Sequence, residues 1–142
     1  LGYPSAKDEM AMVLQRQGHD PLGELVQLLR SDELVLLQEE VAQTYIGNEV
    51  VKYVVSLVGA TRNHPSVLQG ASPRATLAVT AMAKAVARLR GRGYVIPQDV
   101  REVFIHTVTH RLLLTPKAES QGVQPQQVLE EILGAVAAPK LR

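Results

Sequence analysis

The stretch Gly70-Ala71-Ser72-Pro73-Arg74-Ala75 sets a cation where a helix begins. Ser72 is a favoured N-cap residue, Pro73 suits the first helical position, and the unpaired N–H groups of a first turn carry partial positive charge. Arg74 adds charge to an end that is already positive, at a local cost of a few tenths of a kcal/mol up to ~1. An anion held there accounts for that arrangement, because helix N-termini are ready-made phosphate sites. The competing account is an exposed arginine that lays its stem on the surface or pairs with a distant acid.

Other chemistries lack their residues. Nucleotide hydrolysis needs a loop of the type G-x-x-x-x-G-K-[ST] and acids that hold magnesium, and the sequence contains no such loop. Gly91-Arg92-Gly93 lacks the Lys-Ser/Thr ending and follows a helical pattern, so it reads as a helix stop. His106 and His110 have a spacing that can aim two imidazoles at one metal, but Thr107 stands where a zinc-protease helix carries Glu, and no third ligand follows. A structural or surface pair, and no metal site, is the expectation. His19 and His64 adjoin turn residues, where hydrogen bonding or exposure is the ordinary role. No G-x-S-x-G elbow occurs, so Ser72 reads as a cap and not as a nucleophile. The absence of Cys excludes disulfides, thiol catalysis and Cys-ligated zinc.

The elements that position these residues are helical. A chain of 142 residues, 46% apolar and only 4% aromatic, suits one domain of closely packed helices better than a sandwich or barrel. No apolar run approaches the ~18 residues of a membrane span, and no secretory pattern opens the chain, so a cytoplasmic setting is expected. The chain starts at Leu1 without Met, which implies an excised or processed fragment.

Net charge is +1, but residues 1–49 hold nine acids against three cations, whereas residues 50–98 hold seven cations (Lys52, Arg62, Arg74, Lys84, Arg88, Arg90, Arg92) and no acid. The basic block implies an anionic partner, or a solvated face whose cations meet the acids of residues 1–49.

Periodicity places seven helical segments. The first covers residues 5–17, capped by Ser5, with Met10, Val13 and Leu14 on one face. The second is opened by Asp20-Pro21 and carries Leu22, Leu25, Val26 and Leu29. The third runs from Ser31 to residue 43 with Leu34, Leu37 and Val41 inward. Residues 49–60 are rich in Val, but the pairs Val50-Val51, Val54-Val55 and Leu57-Val58 recur at helical spacing. Residues 61–71 read as loop. A helix over residues 73–90 is expected to turn Ala78, Met82, Ala85 and Leu89 inward. Pro97 opens a sixth, reaching residue 113, with Val100, Val103, Phe104 and Val108 on one side. Residues 115–124 read as a surface loop, and Pro125 starts a seventh helix with Val128, Leu129, Ile132, Leu133 and Val136 inward. Tyr45-Ile46 and Tyr94-Val95-Ile96 are candidates for one tiny two-strand pairing.

Gly70 through Ala75, Ala83-Lys84-Ala85, Leu89-Arg90-Gly91-Arg92, Tyr94-Val95-Ile96-Pro97, Asp99-Val100 and His110-Arg111-Leu112 closely resemble the C-terminal lid of MoxR-type AAA+ ATPases. Gly2-Tyr3-Pro4 with Asp8-Glu9 resembles the place where that family's chain leaves its nucleotide-binding core. Tyr53, Leu57-Val58 and Thr61-Arg62 resemble the lid helix before the loop. The resemblance covers nearly the whole chain and is most specific over residues 70–100. It implies an all-α, bundle-like lid over residues 1–142, with residues 1–5 as the junction to a missing core.

It also implies that Arg74 is the sensor-2 arginine, which contacts the terminal phosphate of ATP within its own subunit or across an interface. Ser72 and Pro73 would line the phosphate region, with Arg62 a weaker contact; Lys84, Arg88, Arg90 and Arg92 are weaker candidates still. ATP and Mg belong to the full-length protein, with neither held tightly by this fragment, which lacks the motor and is expected to be inactive alone. The implied partners are the protein's own AAA+ core, neighbouring subunits of a homo-oligomeric ring expected to be a hexamer, and a client of the von Willebrand A type, matured in chaperone-like fashion. Membrane is not among them. A stand-alone basic module that binds nucleic acid and a helical protein adaptor are the rival readings.

Overall fold

The computed structural model describes residues 2–18 and 21–140. His19, and Asp20 as the opening of a helix, lie outside the described residues, as does Leu1. The chain divides into two units, Leu1–Val35 and Leu36–Arg142.

In the first unit α1 (Ala6–Gln15) starts from a reciprocal cap. The Ser5 hydroxyl accepts from the Asp8 N–H at 3.3 Å, and the Asp8 carboxylate accepts from the Ser5 N–H at 3.3 Å. Residues Pro21–Glu24 form a single 3-10 turn and no longer helix. The spacing of Leu22, Leu25, Val26 and Leu29 is thus not used as a helical face: a turn this short has no second turn to align them. Met10, Val13 and Leu14 are all exposed. α2 (Ser31–Ala42) follows, crossing from the first unit into the second. It buries no residue, and the expected inward Leu34 and Leu37 are about half exposed.

The second unit carries the core. α3 (Asn48–Arg62) confirms helix over a valine-rich stretch, with Val50, Tyr53, Val54, Leu57, Val58 and Thr61 buried and Val51 and Val55 turned outward. β1 (Val67–Gln69) leads to α4 (Pro73–Leu89), and α5 (Pro97–Val108) packs along α4. A 3-10 turn (Thr109–Arg111), β2 (Leu113–Leu114), α6 (Pro116–Ser120) and α7 (Pro125–Ala135) complete the order. Phe104, Leu57 and Leu129 are the largest fully buried side chains, each contributing about 1.5–3 kcal/mol by leaving water.

Three expectations are corrected. The buried stripe of α4 is Ala75, Val79, Ala83 and Ala87; Ala78 and Ala85 are only partly covered, Met82 is 49% exposed and Leu89 88% exposed. Three alanines in that stripe let α4 and α5 approach closely, so steric fit and not side-chain size selects the inward face. The sixth predicted helix ends at Val108, and Leu113-Leu114 instead pair antiparallel with β1, Val67 opposite Leu114 and Gln69 opposite Leu113. Within the expected surface loop, Thr115 caps the short α6 by accepting from the Ala118 N–H at 3.2 Å, and Ala118 is buried. Tyr45 and Tyr94 do pair, as one isolated parallel bridge: the Tyr45 N–H donates to Gly93 O and the Val95 N–H to Tyr45 O, both at 2.9 Å.

Candidate functional site

The N-terminus of α4 is set by the end of α3. Thr61, fully buried in the last turn of α3, donates its hydroxyl to Val58 O at 2.6 Å and accepts from the Ala71 N–H at 3.0 Å. Arg62 Nε donates to Ala71 O at 2.9 Å. One peptide unit on each side of Ala71 is thereby fixed to α3, two residues before α4 begins. Gly70 makes this approach possible. A Cβ there would lie 2.6 Å from Arg62 Cα and 2.7 Å from Arg62 N, inside the contact distance of any real side chain.

Arg74 follows on the second residue of α4 and is exposed. Ser72 occupies the N-cap position with extended backbone, but its hydroxyl makes no capping bond. The expected side-chain cap is therefore corrected. The chain enters α4 tightly enough for the Ala75 N–H to reach the Ser72 carbonyl at 2.8 Å, which satisfies the donor the hydroxyl would have served. No acid lies in the first turn. Among the described residues, the Arg74 N–H, the Arg74 guanidinium and the Ser72 hydroxyl have no hydrogen-bond partner, and Pro73 has no N–H to offer.

The other cations of the basic block are engaged. Lys52 pairs with Glu49 at 2.8 Å, Lys84 Nζ donates to Ala42 O at 2.8 Å, and Arg88 pairs with Glu40 at 2.9 Å. Arg90 pairs with Glu102 at 2.6 Å and lies 3.6 Å from Asp99. Arg62, with its Nε on Ala71 O, braces the segment that leads into α4. Arg74 is the one cation of the block without a partner among the described residues. The sequence set Arg74 apart by its place at a helix start, but that the remaining cations find partners shows only in the fold.

Sequence reasoning missed the strongest ion pair. Asp99, fully buried, accepts from Arg92 at 2.8 Å on one oxygen and 2.5 Å on the other, and from the Ile96 N–H at 2.9 Å. Burial pushes the carboxyl up, but the Arg92 hydrogen bonds, the Ile96 N–H and the charges of Arg92 and Arg90 outweigh it and hold Asp99 below its ordinary value. The same hydrogen bonding raises Arg92. Local backbone sets the geometry. α4 stops with Gly91 at φ +70°, the Gly91 N–H on Arg88 O and the Arg92 N–H on Ala87 O, a Schellman stop that aims Arg92 at the first turn of α5. The signal was present in Gly91-Arg92-Gly93 followed eight residues after Gly91 by an acid at the third position of a Pro-initiated helix.

His106 lies on α5 and His110 in the 3-10 turn beyond it, both exposed, so they do not share one α-helical face. His64 Nδ1 accepts from the Ser66 N–H at 3.3 Å, and Nε2 lies 3.2 Å from Glu131. Among the described residues no group of three His, Asp or Glu side chains is placed to hold a metal, and no helix is long and apolar enough to cross a membrane.

A helical unit with an arginine at a clamped helix start, unpaired among the described residues, has a counterpart in a known family. The family described as AAA lid domain matches residues 59–132, from the end of α3 into α7, and the chain belongs to it. Among its relatives are proteins named MoxR. The chain is 39% identical over 150 residues to Chaperone MoxR1 of Mycobacterium tuberculosis (strain ATCC 25618 / H37Rv), covering 99% of this chain and 39% of that protein. It is 34% identical over 142 residues to Uncharacterized protein YeaC of Bacillus subtilis (strain 168), covering 100% of this chain and 44% of that one. A crystal structure of a "putative ATPase" from Cytophaga hutchinsonii ATCC 33406 shares the fold with a TM-score of 0.87 at 28% identity, over 99% of this chain and 45% of that one. The chain thus spans less than half the length of the relatives it matches.

Proposed function

We propose that this lid serves a MoxR-type AAA+ ATPase and that Arg74 is its sensor-2 residue, contacting the terminal phosphate of ATP. The observation that carries the reading is that Arg74 alone in the basic block has no partner among the described residues, on a helix start that is braced from α3. A guanidinium and a helix-terminal N–H together make a charge-assisted, directional phosphate site. Ser72 and Pro73 line the approach, the hydroxyl being available to the ligand.

ATP and Mg are bound chiefly by the AAA+ core, and the contact from Arg74 exists only while the terminal phosphate is present. Loss of that phosphate releases the lid and turns hydrolysis into rigid-body motion. In this reading the lid works in a homo-oligomeric, hexameric ring in the cytoplasm, and its movement drives chaperone-like maturation of a client protein of the von Willebrand A type. Arg74 reaches the phosphate from its own or a neighbouring subunit. The engaged state of the remaining cations speaks against a free-standing nucleic-acid module, because such a module needs a stripe of unpaired charge to neutralise phosphates.

The test is Arg74→Ala in the complete ATPase, with ATP turnover and ring formation measured. Loss of turnover supports the assignment, with any loss of nucleotide-dependent ring formation accompanying it; unaltered turnover overturns it.

A further inference from the structure

We propose that Thr61 and Arg62 are positioning residues that hold Arg74 in place for phosphate through the Ala71 peptide units; this rests on the sensor reading of Arg74. Three independent contacts converge on one short segment. Thr61 uses both capacities of its hydroxyl, as donor to Val58 O at 2.6 Å and acceptor from the Ala71 N–H at 3.0 Å, and it does so fully buried. Arg62 grips the other side of Ala71 at 2.9 Å. Gly70 presses its backbone onto the Arg62 backbone where no side chain fits.

Ala71 is itself buried, and from it the chain has only Ser72 and Pro73 before Arg74. Pro73 has a restricted φ, so the path from the brace to the arginine contains little slack. The start of α4 has no side-chain cap of its own. Its direction is therefore imposed by α3. A phosphate ligand needs that precision, since a misplacement of ~1 Å in a catalytic arrangement can cost about 100-fold in rate. Arg62 contributes in this account through the Nε–H and not through its charge.

The experiment uses the complete ATPase and compares ATP turnover at saturating ATP with thermal unfolding. Arg62→Gln keeps an N–H donor at the same depth along the side chain but carries no charge, whereas Arg62→Met keeps the length and loses the donor. Arg62→Gln is expected to retain turnover and Arg62→Met to lose roughly 10- to 100-fold. Thr61→Val should lose a similar factor and Thr61→Ser recover it.

In an Arg74→Ala background, Arg62→Met and Thr61→Val should cause no further loss. Equal loss for Arg62→Gln and Arg62→Met would identify a charge contact and overturn the positioning role, as would full additivity with Arg74→Ala. Unchanged turnover for Arg74→Ala alone would instead overturn the sensor reading and this inference with it. If Thr61→Val does not fold, the Arg62 pair decides the matter by itself.

Discussion

α4 carries an arginine junction at each end, and the two ends use their cations in opposite ways. At the C-terminal end Arg92 is locked onto the buried Asp99 by two hydrogen bonds, with Arg90 nearby. At the N-terminal end Arg74 stands exposed, with no partner among the described residues, while the backbone beneath it is braced by Thr61 and Arg62. One end fixes the α4 to α5 corner and contributes stability. The other is stabilised from below and leaves its charge unpaired among the described residues. A basic block in a sequence is thus a mixture, and what separates engaged from available cations is whether folding brings a carboxylate or carbonyl to them.

The largest effect on stability should come from breaking the structural end. Asp99→Asn keeps the shape but removes the charge opposite Arg92 and is expected to cost about 3 kcal/mol, the low end for a broken buried pair because the Arg92 side chain keeps 21% exposure. Denaturant unfolding checks it. The same pair makes a pH prediction. Asp99 is held below its ordinary value of 3.8 in the folded state, so the folded chain binds fewer protons there than the unfolded one. Its contribution is fully present above the ordinary carboxylate range and is lost as pH falls through the lowered folded value. Between about pH 5 and about pH 2 the wild type should lose more stability than Asp99→Asn; equal slopes would remove Asp99 from the acid transition.

Next in size is the brace. Gly70→Ala forces a Cβ against the Arg62 backbone and should destabilise by about 1–3 kcal/mol, as overpacking does elsewhere. It should also shift amide protection at the start of α4, and an unchanged unfolding midpoint would show that the approach of loop to helix is not close in solution. Smaller again is the exposed pair Arg88 with Glu40, whose side chains are 42% and 56% exposed. A double-mutant cycle there should return ~0–1 kcal/mol and fall with added salt.

Much of this arrangement was legible in the residues. Pro73 and Pro97 mark helix starts, Gly91 a helix stop, and the valine pairs of α3 fall on helical spacing, because each of these signals acts within one turn of backbone. What was not legible depends on partners far along the chain. The inward face of α4 is chosen by how closely alanines allow α5 to approach, so Ala75, Val79, Ala83 and Ala87 are buried in place of the heavier stripe through Met82 and Leu89. β1 and β2 form because residues 67 and 114 meet across α4, α5 and the 3-10 turn, a pairing no local propensity encodes.

At the site, Arg74 was identifiable as an electrostatic misfit. Its brace was not, because Thr61 and Arg62 look like ordinary residues of a helix end until Gly70 lets the chain return onto them. Ser72 shows the limit of a local rule: it holds the position of a cap without making the bond, because the Ser72 carbonyl already takes the Ala75 N–H.

The central contrast is tested most directly by measuring Arg74→Ala and Arg92→Ala side by side in the complete ATPase, each for unfolding midpoint and for ATP turnover. Arg74→Ala should leave the unfolding midpoint unchanged or slightly raised while turnover falls, whereas Arg92→Ala should lower the midpoint. An Arg74→Ala protein that turns over ATP at the wild-type rate would contradict the account.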